Sequence, residues 1–191
     1  MGESLEDVYD AYREDPAFAD LRTTGIVLVP GDGHRAPNIM IVGEAPGATE
    51  NTAVRPFVGA SGRILRSLIE DVAELDSSEY FITNVVKYRP PGNRTPYPEE
   101  VDASIPYLRR EWTALGCPSV LVAVGGTALS ALAPSLSGIT KLAGRPHDLP
   151  GARRLWPMIH PRWAINNPER QEALEQHWNQ FRLWYNETGL H

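Results

Sequence analysis

A chain of 191 residues, 42% hydrophobic and 22% charged, suits one soluble domain and is short for two; no apolar stretch nears the roughly 18 to 20 residues of a membrane helix. Its one cysteine, Cys117, excludes an intrachain disulfide and an all-cysteine metal or cluster site, and the acidic, signal-free amino terminus predicts a cytoplasmic protein. The net charge of −6 is uneven: residues 1–20 hold seven acids and one arginine, while residues 80–165 hold ten Lys or Arg and five acids, which fits a solvated surface or a modest phosphate-binding face.

Residues 4–12 predict a short, peripheral helix with Ser4 as N-cap and Asp7 in its first turn, ending before Asp15-Pro16. Residues 23–30 (TTGIVLVP) read as an edge strand, with Gly31-Asp32-Gly33 as the turn into the next. That next stretch, NIMIVGEAPG (38–47), organises the chain. Ile39-Met40-Ile41-Val42 predicts a strand buried on both faces, and GEAPG a loop at its carboxyl end, where open α/β sheets place ligands. Gly43, Pro46 and Gly47 make the loop either a plain chain reversal or a cradle of N–H groups for an anion or carbonyl oxygen.

Residues 48–55 read as polar loop, and PFVGASG (56–62) leads into a helix. Its Ile64, Leu65, Leu68, Ile69, Val72 and Leu75 recur every three to four residues and bury one face. Residues 80–86 (YFITNVV) predict another buried strand, running into KYRPPGNRTPYPEE (87–100), where four prolines and a glycine exclude regular structure. Residues 99–115 predict a helix broken near Pro106. Residues 119–124 (SVLVAV) predict a strand ended by Gly125-Gly126 and a short helix; 135–151 read as loop, and 155–159 as a last strand before His160-Pro161-Arg162.

Asn167 caps and Pro168 opens a final helix that turns Leu174, Trp178, Phe181 and Trp184 or Tyr185 inward. Alternating strands and helices imply one domain over residues 1–191, with residues 1–20 an acidic helical segment. The expected fold is a three-layer α/β/α arrangement on a central, mainly parallel four-stranded sheet.

Three loops that follow parallel strands should gather on one sheet edge: GEAPG, TNVVKYRPPGNR and HPRW. Asn84, at a strand end, offers a donor and an acceptor to a planar edge that presents a carbonyl beside an N–H, or bonds local backbone. His160 suits donation to a developing negative charge, or serves structure. Phe57 is either core or an aromatic platform for a base.

At GEAPG (43–47), PFVGASGRIL (56–65), TNVVKYRPPGNRTPYPEE (83–100) and HP (160–161), the chain resembles the uracil-DNA glycosylase superfamily, most closely its iron-sulfur (family four) branch. The motifs agree in order and spacing, across roughly residues 22–165. The resemblance implies a monofunctional DNA glycosylase for base-excision repair, which flips a uracil-type base from single- or double-stranded DNA and hydrolyses its N-glycosidic bond. It puts Gly43, Glu44, Ala45, Pro46 and Gly47 around the base, Phe57 stacked on it, Asn84 on its Watson–Crick edge and His160 at O2. Glu44 is the weaker candidate for orienting water, because Ala45 stands where other branches carry an activating Asp. Ser61, Lys87, Arg89, Asn93, Arg94, Arg162 and Trp163 are expected on DNA, with Arg162, Trp163 and Ile165 as the wedge. A monomer without membrane attachment or cofactor completes the expectation.

Two departures stand out. The branch's four cluster cysteines match Tyr12, Asp15, Tyr88 and Ser104 here, which supply no thiolate, so the expectation is no iron-sulfur cluster and no metal, with packing between Tyr12 and Tyr88 in its place. Arg162 replaces a small Ser, able to grip a phosphate bidentately or to reach a substituent on the base. Gly47 also stands where uracil-only pockets carry a bulky residue against C5; the iron-sulfur branch shares this glycine, so it opens the pocket without by itself implying a different base. A C5-modified or damaged pyrimidine is therefore an alternative substrate, in defence or damage processing. A catalytically silent DNA-binding member is another alternative. A nucleotide-binding protein unrelated to DNA rests only on glycine turns and lacks the phosphate-loop lysine.

Overall fold

A computed structural model describes residues 2–151 and 153–189. Runs of β-branched and apolar residues form four parallel strands in the order β3 (Tyr80–Asn84), β2 (Ile39–Gly43), β4 (Val120–Val124) and β6 (Arg153–Met158). Two short strands close the edges antiparallel: β1 (Asp32–Gly33) on β3 and β5 (His147–Leu149) on β6. The sheet is thus the expected parallel core of four with two added edges. Strands this short carry too little pattern to read from sequence.

Period-two alternation divides the core between the sheet's two faces. Ile39, Ile41, Ile82, Val122 and Trp156 pack on one face against α3 (Ala60–Ser67) and α7 (Pro168–Thr188), which contribute Leu65, Leu174, Trp178, Phe181 and Tyr185. Met40, Val42, Phe81, Leu121 and Leu155 pack on the other face. They meet α1 (Leu5–Glu14), α4 (Pro98–Ala114) and α5 (Gly126–Leu132) through Tyr9, Tyr12, Leu108 and Leu129. Both faces are covered, as parallel sheets require. Each large side chain so buried contributes about 1.5–3 kcal/mol, and truncating Trp178 or Phe181 removes about 3–5 kcal/mol.

Several local expectations change. Residues 23–30 form no strand; Leu28 and Val29 pack inward with Val29 N–H donating to Lys87 O at 2.9 Å, and Pro30, lacking an N–H, cannot extend a ladder. Residues 48–55 are not loop, because α2 (Ala48–Ala53) forms there. α4 opens at Pro98 and runs unbroken past Pro106, whose exposed side leaves the freed carbonyl of Asp102 open to water. The stretch 135–151 contains the short α6 (Ile139–Leu142) and β5.

α1 has its expected Ser4 cap, with Asp7 completing a capping box, but it is not peripheral. Leu5, Val8, Tyr9 and Tyr12 are buried, and the Tyr12 ring stacks on Phe18 at a centroid distance of 3.9 Å. Among the described residues, no helix is long and apolar enough to cross a membrane.

Candidate functional site

From β2 the chain crosses to β3 on one side, and then places β4 and β6 on the other, so the strand order reverses around β2. A crevice at the carboxyl ends of the strands follows from such a reversal. A cleft of about 760 Å³ lies there, lined by Glu44, Phe57, Asn84, Gly125, His160 and Arg162 among others. The three loops expected to converge do so.

Gly43 and Asn84 are register partners at the ends of β2 and β3. A Cβ built on Gly43 would lie 2.3 Å from Phe57 Cζ and 2.7 Å from Asn84 Oδ1, so the glycine lets the ring and the amide close over the strand end. Asn84 is only 4% exposed, yet its side-chain amide makes no hydrogen bond among the described residues. The amide instead lines the cleft, where its donor and acceptor are open to a ligand.

Phe57 sits in left-handed backbone geometry, φ 55°. The loop around it is held from two sides. Glu50 accepts N–H bonds from Gly47 (3.2 Å), Val58 (3.1 Å) and Gly59 (2.7 Å). Arg66 donates to Phe57 O (3.1 Å), Pro56 O (3.0 Å) and Asp32 Oδ2 (3.0 Å).

His160 caps the 3-10 turn Pro161–Ala164, its Nδ1 accepting the N–H of Arg162 at 3.1 Å. In the neutral ring the proton therefore sits on Nε2, a donor. Burial pushes the imidazole below its usual range and the Arg162 charge adds to this, against the pull of Glu44 and Glu50. Glu44 receives the Thr127 hydroxyl on Oε2 at 2.5 Å and makes no other side-chain hydrogen bond among the described residues. One carboxylate oxygen remains for water.

Lys87 corrects an expectation. It is fully buried and its ammonium bonds Glu111 (2.7 Å), Thr83 Oγ1 (2.6 Å) and the main-chain O of Asn84 (2.6 Å), so it does not reach a DNA surface. Desolvation pushes its pKa down against the attraction of Glu111, whose other partners are Tyr9 and Thr83. This network lies directly beneath Asn84.

Of the other residues expected on DNA, Arg94 is ion-paired through both nitrogens to Glu100 and lies over the Tyr97 ring, and Arg89 is bonded to Asn93. Ser61 is half-buried on the cleft wall. Arg162 is exposed and forms no ion pair among the described residues. Trp163 and Ile165, 38% and 37% exposed, stand at the mouth, the former under the Arg170 guanidinium.

The four positions that match cluster cysteines gather on one side of the sheet. Tyr12 OH lies 2.8 Å from Ser104 Oγ, the Tyr12 and Tyr88 rings are 5.7 Å apart between centroids, and Tyr107 OH donates to Asp15 at 2.7 Å. The expected contact between Tyr12 and Tyr88 is present. Two phenols, a hydroxyl and a carboxylate engaged by Tyr107 do not fit an iron-sulfur cluster, which needs thiolates, and the sole cysteine, Cys117, is exposed elsewhere. Among the described residues no group of His, Cys, Asp or Glu is placed to hold a metal ion.

Glu50, Arg66 and Thr127 were not singled out in the sequence. The G-x-x-E spacing from Gly47 to Glu50 signals a helix start with a carboxylate reaching back to the cap, and marks Glu50. Arg66 and Thr127 carry no comparable signal.

An aromatic ring, an amide, an imidazole and a carboxylate thus meet at one strand edge of a parallel α/β/α protein. The sequence profile described as the uracil DNA glycosylase superfamily matches residues 30–182. Similar proteins include a type-4 uracil-DNA glycosylase of Sulfurisphaera tokodaii, 37% identical over 161 residues covering 81% of this chain and 73% of that protein. Others carrying the same name come from Thermotoga maritima, 38% identical with 77% and 75% coverage, and Archaeoglobus fulgidus, 33% identical with 90% and 89% coverage. The chain belongs to the uracil-DNA glycosylase superfamily.

Proposed function

We propose that the protein is a monofunctional DNA glycosylase that hydrolyses the N-glycosidic bond of uracil in DNA and leaves an abasic site. The observation that carries this reading is the convergence of Phe57, the unengaged amide of Asn84 and the Nε2 donor of His160 on one cleft. The target nucleotide leaves the stack at a cost of a few kcal/mol, least for mispaired or single-stranded DNA. Phe57 stacks on the base, and Asn84 accepts from N3–H and donates to O4. Gly43, Ala45, Pro46 and Gly47 line the remaining wall.

As the C1′–N1 bond breaks, its electron pair passes to the base and His160 donates from Nε2 to the charge gathering on O2. A water held by the free oxygen of Glu44 bonds C1′ and passes its proton to that oxygen, with Thr127 fixing the carboxylate. No step calls for a metal or cofactor. Arg162, Arg89, Asn93 and Ser61 face the DNA backbone, Arg94 less so because Glu100 neutralises it. Trp163 and Ile165 fill the space the nucleotide vacates. The protein works as a monomeric single domain in the cytoplasm, without an iron-sulfur cluster. Iron, or a cluster's visible absorption, in pure protein would contradict that last point.

Gly47 favours a second reading, a pyrimidine modified at C5, because it places no side chain on that wall of the cleft. A single-turnover excision assay with uracil and C5-modified bases in single and double strands, followed by alkaline cleavage, separates the two. Cleavage at uracil is expected, with Asn84→Asp lowering discrimination against cytosine. Binding without cleavage at any base overturns the glycosylase reading in favour of a silent module.

A further inference from the structure

We propose that Glu50, together with Arg66, is a positioning residue that clamps the backbone on either side of Phe57 and so presents its ring to the base. The inference rests on the reading of Phe57 as the stacking residue. Three observations converge on it.

First, the Glu50 carboxylate does more than cap its own helix. One of its three N–H donors, Gly47, starts α2, but the other two, Val58 and Gly59, belong to the loop that carries Phe57. A single side chain thus ties the GEAPG turn to the PFVG turn. No cation pairs with Glu50 among the described residues, so its charge is satisfied by these backbone donors.

Second, both loops leave room for it. A Cβ on Gly47 would lie 2.8 Å from Glu50 Oε2, and one on Gly59 2.9 Å from Oε1. Glycine at these positions lets the carboxylate approach the N–H groups.

Third, Phe57 needs restraint. A left-handed conformation is unfavourable for a residue with a Cβ, and it persists where the surroundings over-determine it. Glu50 collects the N–H groups after Phe57, while Arg66, anchored on Asp32, collects the carbonyls of Pro56 and Phe57 itself. Opposite charges hold opposite ends of the peptide dipoles, and the ring is pressed over Gly43 beside Asn84.

The variant Glu50→Gln keeps size and one acceptor but sets an amide donor against a backbone N–H. Expected is a fall in single-turnover uracil excision on the order of tenfold, with affinity for undamaged DNA and the unfolding midpoint little changed. In a Phe57→Ala background the same substitution should cost almost nothing, because no ring remains to position. Hydrogen exchange of residues 46–60 should rise in Glu50→Gln, and Arg66→Lys, which keeps the charge but loses the fork, should give the same kinetic pattern.

A wild-type rate in Glu50→Gln, or an equal loss in both backgrounds, overturns the clamp and leaves the glycosylase reading intact. A loss of rate that tracks a lowered unfolding midpoint also overturns it, by reducing Glu50 to a structural part. If the wild-type protein excises no base, both readings fall together.

Discussion

The main-chain N–H of Arg162 donates to Nδ1 of His160 at 3.1 Å. A residue two positions along the chain thereby selects the ring's tautomer and leaves the proton on Nε2 of a residue that lines the cleft. Because burial holds the imidazole below its usual pKa of 6.5, that neutral donor persists at and somewhat below neutrality.

The excision rate should therefore stay level as pH falls from neutral through 6.5 and decline only below it, when a proton on Nδ1 opposes the Arg162 N–H. The stability linkage has the same sign. The unfolded chain takes up the proton first, so this contribution is complete above 6.5 and is lost as pH falls through the lowered folded value. Single-turnover rates and melts across pH check both; a rate titrating at or above 6.5 contradicts the assignment. His160→Ala should cost on the order of 100- to 1000-fold in rate with DNA affinity retained.

Gly43→Ala tests the closure between the first two strands. Its methyl would meet the Phe57 ring at 2.3 Å and Asn84 Oδ1 at 2.7 Å, so both must move. Stability should fall by about 1–3 kcal/mol, the usual range for overpacking. Excision should fall further than DNA affinity does, since ring and amide are both displaced. Unchanged kinetics would mean that the two side chains yield freely.

Lys87→Met should destabilise the protein by about 3–5 kcal/mol, because it leaves the Glu111 carboxylate buried without its cation. Adding Glu111→Gln should recover much of that loss. Denaturant titration measures the stability, and the salt dependence of DNA binding supplies the control. Its slope should not change, since the Lys87 ammonium never reaches a phosphate; a shallower slope places that ammonium on DNA.

Arg162→Ser makes the opposite prediction. With no ion pair among the described residues, Arg162 should contribute one phosphate contact, and its loss should make the log–log salt slope shallower by about 1. Folding should be unaffected, and the order of preference among bases should hold. A changed order moves Arg162 from the backbone to the base.

Much of this protein is written in local chemistry. Apolar runs of four or five residues define the parallel strands, Ser4 and Asn167-Pro168 announce two helix starts, and the ends of parallel strands place Gly43, Asn84 and His160 at one edge. These readings hold because a buried strand and a capped helix depend on near neighbours and on side-chain polarity.

Partnership over long sequence distance was decided by the tertiary structure alone. Lys87 looks like any basic residue beside Arg89 and Arg94, and only the approach of Glu111, 24 positions away, with Thr83 makes it a buried ion pair. Tyr12 is the exception: its segment reads as peripheral by composition, but the matched cluster positions already group it with Tyr88 and Ser104, and the fold adds the hydrogen bond to Ser104, 92 positions on. Glu50 sits in a polar stretch, and its service to two loops appears only once both have folded onto it. A charged or hydroxylated side chain is soluble in water and equally able to satisfy a buried partner. Its residue type therefore carries its chemistry, while the fold supplies the partner that settles its role.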